Sequence, residues 1–169
     1  MKTLNERLAW LAGIIDGEGF MCAQSVASSH VKKDGTKGRQ LIFTVGIGNT
    51  DYSMIREIVS ISRDAGIECI VTMQKPKCAT RHKMAWKVRW HGWGRVEAVL
   101  RPVLPYLINK KGRAELMLAM IAHRRTTAVT LGKRGKQGFS DDEWLATQLS
   151  ELKFLNRRGP APVEECLNP

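Results

Sequence analysis

The run Leu11-Ala12-Gly13-Ile14-Ile15-Asp16-Gly17-Glu18-Gly19 brings two carboxylates together at the end of an apolar, glycine-punctuated stretch. Ala9, Gly13 and Gly17 recur every fourth residue, so on a helix they form one small-residue face against which a second helix backbone can pack closely. If the helix ends near Glu18, Asp16 and Glu18 both lie at its C-terminus, where the backbone dipole is already negative. Carboxylates there need a compensating cation, and a divalent metal held by hard oxygen donors is the natural one. Other metal chemistries are poorly supplied. His30, His82, His91 and His123 are too dispersed for a histidine-based metal site. Cys22, Cys69, Cys78 and Cys166 form no CxxC pair, which excludes a zinc ribbon and argues against a disulfide scaffold.

The elements around this run follow from periodicity and turn chemistry. Asn5 is a candidate N-cap for a helix to about Glu18, with Leu8, Leu11, Ala12 and Ile15 at helical spacing. Phe20 to His30 reads as a long strand, and the basic turn from Lys32 to Arg39 leads into a second, in which Leu41, Phe43, Val45 and Ile47 alternate toward a core. Asp51 caps a second helix carrying Ile55, Ile58, Val59 and Ser62, and Gly66 stops it. Strands follow over Cys69–Gln74 and around Met84, Trp86, Val88 and Trp90. A helix over Gly94–Tyr106 is interrupted by Pro102 and Pro105, and another spans Ala114–Arg124. The spacing predicts an α+β domain over residues 1–125, a basic linker or arm over 126–139, and a C-terminal helix and tail over 140–169.

The 169-residue chain carries 27 Lys and Arg against 16 Asp and Glu, a net charge of +11 that makes a polyanion the first partner to consider. No apolar run approaches the ~18–20 residues of a membrane span, and the charged N-terminus lacks a signal-peptide core. The expectation is an intracellular chain, in cytoplasm or organelle matrix, with access to DNA and without a membrane partner.

The nine-residue run resembles the LAGLIDADG motif of homing endonucleases, with Ile14 for Leu, Gly17 for Ala and Glu18 for the second Asp. The helix before it, the long strand after it and the αββαββα order over Asn5–Arg124 agree with that family. The resemblance implies a homing-endonuclease fold: a saddle-shaped antiparallel sheet with helices on one face, here with a C-terminal helical extension. It further implies a sequence-specific, metal-dependent DNA endonuclease that makes staggered double-strand breaks to spread an intron or intein. By the same resemblance Glu18 binds the catalytic metal and the Gly17 carbonyl contributes an oxygen. Asp16, the earlier motif acid, is mainly structural, closing the helix end, with a lesser catalytic role. Asn49 corresponds to the polar residue that positions the attacking water; the competing reading is that Asn49 and Asp51 only cap the second helix. Lys110 corresponds to the basic residue that stabilises charge near the cleaved phosphate, with Lys111 as the near alternative and a plain surface lysine as the other reading. The expected cofactor is Mg²⁺, with Mn²⁺ as a substitute and Ca²⁺ supporting binding without turnover.

One motif supplies one strand's chemistry, so the expected assembly is a homodimer joined through Ala9, Ala12, Gly13, Asp16 and Gly17. Strand parity leaves Gln24, Ser28, His30, Gln40, Thr44, Lys83, Lys87 and Arg89 on the face away from the helices, where such side chains read base edges. Gly46 and Gly48, unusual in a DNA-facing strand, lie on that face too. Lys32, Lys33, Lys37, Arg39, Lys75, Lys77 and Arg81 suit phosphates. A strand of this length spans about one turn of DNA, giving a near-palindromic site of about 20 base pairs for two copies. Arg124, Arg125 and the Lys133–Lys136 stretch either add phosphate contacts or form a solvated linker. The alternative function is a non-cleaving nucleic-acid binder such as an RNA maturase, with RNA as the partner.

Overall fold

The computed structural model describes residues 2–31, 35, 37–75, 83–130 and 143–156, with the side chains of 28–31, 37–39 and 127–130 outside that description. The elements are α1 (Leu4–Glu18), β1 (Gly19–Val31), β2 (Lys37–Asn49), α2 (Tyr52–Asp64), β3 (Ile70–Gln74), β4 (Ala85–His91), α3 (Trp93–Val103), a 3₁₀ turn (Leu104–Tyr106), α4 (Lys111–Thr130) and α5 (Glu143–Leu155). The fold is α+β, with the four strands in one antiparallel sheet of order β1-β2-β4-β3.

Alternation decides which face of the sheet is covered. Met21 and Ala23 of β1, Leu41, Phe43, Val45 and Ile47 of β2, and Val88 and Trp90 of β4 are all buried in one core with the helices. Antiparallel partners share a face, so the pairs Cys22–Thr44, Thr44–His91, Gly46–Arg89 and Gly48–Lys87 define the opposite side, which is helix-free among the described residues. The C-terminal helix is not detached from this core. Leu145, Leu149 and Leu152 of α5 are buried in it, and the Asn156 amide donates to the Met21 carbonyl at 2.9 Å.

Several boundaries differ from the sequence reading. Thr3, not Asn5, caps α1. Its hydroxyl accepts from Glu6 N at 3.3 Å while the Glu6 carboxylate accepts from Thr3 N at 2.6 Å, so Thr-x-x-Glu satisfies two free amides where Asn5 would satisfy one. β4 begins at Ala85, leaving Lys83 and Met84 before the strand and Met84 42% exposed. Residues 126–130, expected to belong to a linker, continue α4. Arg125 pairs with the buried carboxylate of Glu97, which also takes Arg101 at 2.6 Å, and the Arg124 guanidinium lies 5.6 Å from the centre of the Trp93 ring. Both arginines therefore bind α4 to α3, so the solvated-linker reading does not hold for them. Lys133–Lys136 lie outside the described residues. Among the described residues no helix is long and apolar enough to cross a membrane.

Arg7 locks α1 onto α2 by reaching Glu57 Oε1 (3.1 Å), Ser60 Oγ (3.0 Å) and Asp64 Oδ2 (2.5 Å). The Arg7 hydrogen bond holds the Asp64 carboxyl below the usual carboxylate range. A lowered folded-state pKa contributes stability above the ordinary Asp value, and that contribution disappears as pH falls through the lowered one. Arg7→Ala should therefore melt below wild type at neutral pH, with the gap shrinking below about pH 4. Thermal melts at a series of pH values check this; a gap independent of pH contradicts it.

Candidate active site and the open sheet face

Where α1 ends, the chain must turn sharply into β1. A Cβ at Gly19 would sit 2.6 Å from the Ile15 carbonyl oxygen and 2.8 Å from Ile15 Cα, both backbone atoms, so glycine is required there. The turn leaves Asp16, Gly17 and Glu18 together at a helix end that has no basic residue in its last turn.

Asp16 and Lys110 resolve the electrostatics of this end between them. The Asp16 carboxylate accepts from three successive backbone amides, Ile108 N (2.6 Å), Asn109 N (3.3 Å) and Lys110 N (2.8 Å), immediately before α4. Consecutive amides at a helix start form an anion-binding concavity. In return the Lys110 ammonium donates to the carbonyls of Ile15, at 2.9 Å, and Asp16. An anion from α1 thus caps α4, and a cation from the start of α4 caps α1. Asp16 does not close its own helix, as expected from sequence; it closes α4. This explains why α4 starts at Lys111, earlier than the apolar pattern from Ala114 indicates. It also answers the expected need for a cation, which an ammonium meets before any metal is considered.

Glu18 is exposed, and its carboxylate accepts from the Asn49 amide. The Asn49 side-chain oxygen accepts from Asp51 N at 2.8 Å, and Asp51 Oδ1 caps α2 through Ser53 N (2.8 Å) and Met54 N (3.4 Å). Asn49, the last residue of β2, therefore serves both readings: it belongs to the α2 capping turn and it holds Glu18. Four of the expected residues, Asp16, Glu18, Asn49 and Lys110, meet at one helix end, and Gly17 lies exposed between the two acids. The donors for a hard cation in one chain are the Glu18 carboxylate and the Gly17 carbonyl. Among the described residues no cluster of three or more His, Cys, Asp or Glu gathers to hold a metal, here or elsewhere. One carboxylate and a carbonyl fit Mg²⁺, which keeps water and substrate phosphate as its remaining ligands.

The small-residue face is open at Gly13 and Gly17, where nothing lies within 4 Å of an added Cβ, and Ala9 is half-buried. Ala12 is corrected: it is 0% exposed in the chain's own core beside Leu8, Leu11 and Ile15, so it cannot meet a second copy.

On the helix-free face Gln24 and Gln40 are exposed, and Thr44, Lys87 and Arg89 are half-buried. Lys83 and Lys75 are exposed just outside the strands. Ser28, His30, Lys32, Lys33, Lys37, Arg39, Lys77 and Arg81 fall outside the described residues or side chains. Sequence reasoning missed Phe20 and His91. The Phe20 ring fills the space above Gly46, where a Cβ would lie 2.5 Å from the ring, and the Lys87 ammonium sits 4.6 Å from the ring centre. Gly46 is thus a seat for an aromatic ring. His91 continues the parity of Lys87 and Arg89 by one more step, and extending that alternation past Trp90 would have found it.

Replacing Asp16 by Asn keeps the shape but removes the charge that the three amides share. The expected cost is roughly 2 kcal/mol, or about 4–8 °C in Tm for a domain of this size. A thermal melt of Asp16→Asn matching wild type would contradict the cross-capping.

No protein-family model matches the sequence, and no curated protein sequence matches it. Solved structures do match. The homing endonuclease I-CvuI, in complex with the I-CreI target, superposes with TM-score 0.65 at 20% identity, over 94% of this chain and 87% of its own. The archaeal intron-encoded homing endonuclease I-Vdi141I, complexed with DNA, gives 0.63 at 13% identity over 93% and 88%. The I-SmaMI LAGLIDADG homing endonuclease, bound to cleaved DNA, gives 0.57 at 17% identity over 92% of this chain but 45% of its own. Element order, sheet topology and these superpositions agree: the chain has the fold of the LAGLIDADG homing endonucleases.

Proposed function

We propose that this chain is a sequence-specific, divalent-metal-dependent double-strand DNA endonuclease of the homing type, acting as a homodimer on a near-palindromic site of about 20 base pairs. The observation that carries the proposal is the position of Glu18. It is an exposed carboxylate, oriented by Asn49, at the junction between α1 and a sheet whose other face carries no helix among the described residues and displays Lys87 and Arg89. Structures of the same fold hold a target duplex in I-CvuI and cleaved DNA in I-SmaMI.

Hydrolysing a phosphodiester requires an activated water and stabilisation of the charge that builds on the phosphoryl oxygens. A bound Mg²⁺ supplies both by Lewis acidity. Glu18 and the Gly17 carbonyl hold that ion in this reading, and Asn49 fixes the carboxylate rotamer. Lys110, anchored on the α1 carbonyls, adds positive potential beside the phosphate without leaving its helix cap. The chain covers 87% of I-CvuI and 88% of I-Vdi141I but 45% of I-SmaMI, a longer chain with room for a second unit of this size. That supports pairing of two copies through the open Gly13 and Gly17 face, with Ala9 and Asp16 beside it. Mg²⁺ is the proposed cofactor, Mn²⁺ a substitute, and Ca²⁺ a support for binding alone.

Wild type and Glu18→Gln are to be incubated with a randomised ~24-base-pair duplex library in Mg²⁺ or Ca²⁺. Wild type should cut a narrow, near-palindromic set in Mg²⁺. Glu18→Gln should retain that set while cutting it roughly 10²–10³-fold more slowly, or not at all. Wild type that retains duplexes without cutting them points to a nucleic-acid binder such as an RNA maturase; wild type that retains none overturns DNA recognition as well.

A further inference from the structure

Gly48 is a glycine that the fold does not require. It lies in β2, a central strand, and the register with β4 runs unbroken through it, so no bulge calls for it. Its φ is not positive. An added Cβ would meet only the Trp86 carbonyl oxygen, at 3.9 Å, which is an ordinary contact. Gly46, two residues earlier, has a packing reason, because the Phe20 ring occupies the place of its Cβ. Glycine weakens a strand, and one with neither strain nor crowding behind it marks a place where something outside the fold approaches the backbone.

Opposite charges flank this place. Gly19 pairs with Ile47, so the residue before Gly19, Glu18, comes level with the residue after Ile47, Gly48. On the other side Gly48 pairs with Lys87. Strands lie ~4.8 Å apart, so the Glu18 and Lys87 backbones stand about 10 Å apart with no side chain between them. Each charged group is held by a third residue. Glu18 accepts from the Asn49 amide, and the half-buried Lys87 places its ammonium 4.6 Å from the centre of the Phe20 ring. Arg89, the next cation of β4 on this face, pairs with Gly46 and so stands further from Glu18. Lys110 has its ammonium on the carbonyls of Ile15 and Asp16, which neutralise part of its field.

Resting on the endonuclease reading above, we propose that the slot over Gly48 receives the scissile phosphate. Lys87 is then a catalytic residue whose ammonium touches a non-bridging oxygen of that phosphate, and Phe20 is its positioning residue. A phosphate in the slot has Glu18 and its divalent cation on one side and Lys87 on the other, so every charge lies beside its opposite. In hydrolysis a water oxygen bonds to phosphorus and the bond to one ester oxygen breaks. The electron pair leaves with that ester oxygen, which takes a proton from solvent, while the attacking water gives one to solvent. Lys87 transfers no proton; it stabilises the charge on the non-bridging oxygens during the exchange. An ammonium on a phosphate carries no base preference, so this role differs from reading a base edge.

Wild type, Lys87→Gln, Phe20→Leu and Gly48→Ala are compared on duplexes retained in Ca²⁺ and on cutting of bound duplex in Mg²⁺ at saturating protein. Lys87→Gln should retain the same sequences as wild type, with the slope of log affinity against log salt reduced by about one for each copy. It should cut bound duplex roughly 10²–10³-fold more slowly. Gly48→Ala should melt at or above wild type, yet cut at least about tenfold more slowly, because the methyl lifts the phosphate out of the slot. Phe20→Leu should also slow cutting of bound duplex about tenfold without changing the retained sequences, which a merely structural ring would not do. Lys87→Gln that cuts at the wild-type rate, or that changes base preference at one position, overturns the assignment while the endonuclease reading stands. Gly48→Ala or Phe20→Leu cutting like wild type does the same. Wild type that cuts no duplex overturns both.

Discussion

Two helix ends of opposite polarity meet in this molecule and neutralise each other. The C-terminus of α1 receives the Lys110 ammonium, and the amides ahead of α4 receive the Asp16 carboxylate. Left alone, each end would expose unsatisfied backbone groups and a partial charge at the same spot. Joined, they are rigid, and that rigidity is inherited by everything attached. α1 ends where it does, Gly19 turns the chain into β1, and the next outward side chain at the junction is Glu18. The capping turn of α2 then reaches Glu18 through Asn49. A carboxylate at the negative end of a helix is tolerated because the charge beneath it is already balanced.

The second organising constraint is that the described helices all cover one face of the sheet. α5 adds Leu145, Leu149 and Leu152 to the common core, so the C-terminal segment strengthens the same side. Among the described residues no helix hides the polar side chains of the other face, which is stiffened by contacts of its own. Phe20 packs over Gly46 and under Lys87, and Thr44 Oγ1 lies 3.0 Å from His91 Nδ1. A stiff polar face can hold side chains in fixed orientation toward a groove, which is what selective hydrogen bonding to base edges requires.

The sequence revealed features whose causes are local. Leu41, Phe43, Val45 and Ile47 are buried as their alternation indicates, Asp51 caps α2, and Gly66 adopts φ +69° just past its end. The four residues at the site were legible through the nine-residue motif and the resemblance it carries. What escaped depends on partners distant in sequence. The start of α4 is set by Asp16, which lies 92 residues from Ile108. Arg125 is committed to Glu97, and Ala12 is sealed by packing that periodicity alone cannot distinguish from an outward small face. His91 lies one step beyond the alternation that placed Lys87 and Arg89, and its pairing with Thr44 is seen only in the register of β4 on β2. Charge counting likewise could not tell a cation bound to the fold, such as Arg7 or Lys110, from one on the open face.

If each copy carries one complete strand-cutting centre, the most direct measurement is the product formed by mixed dimers of wild type and Glu18→Gln. Dimers carrying a different tag on each copy, purified through both tags, are given supercoiled plasmid containing the selected site and Mg²⁺. The expected product is nicked circles, since one strand meets Glu18 and the other meets Gln. Linear plasmid formed at the wild-type rate, or no cutting of either strand, would contradict the assignment of one Glu18 to each strand.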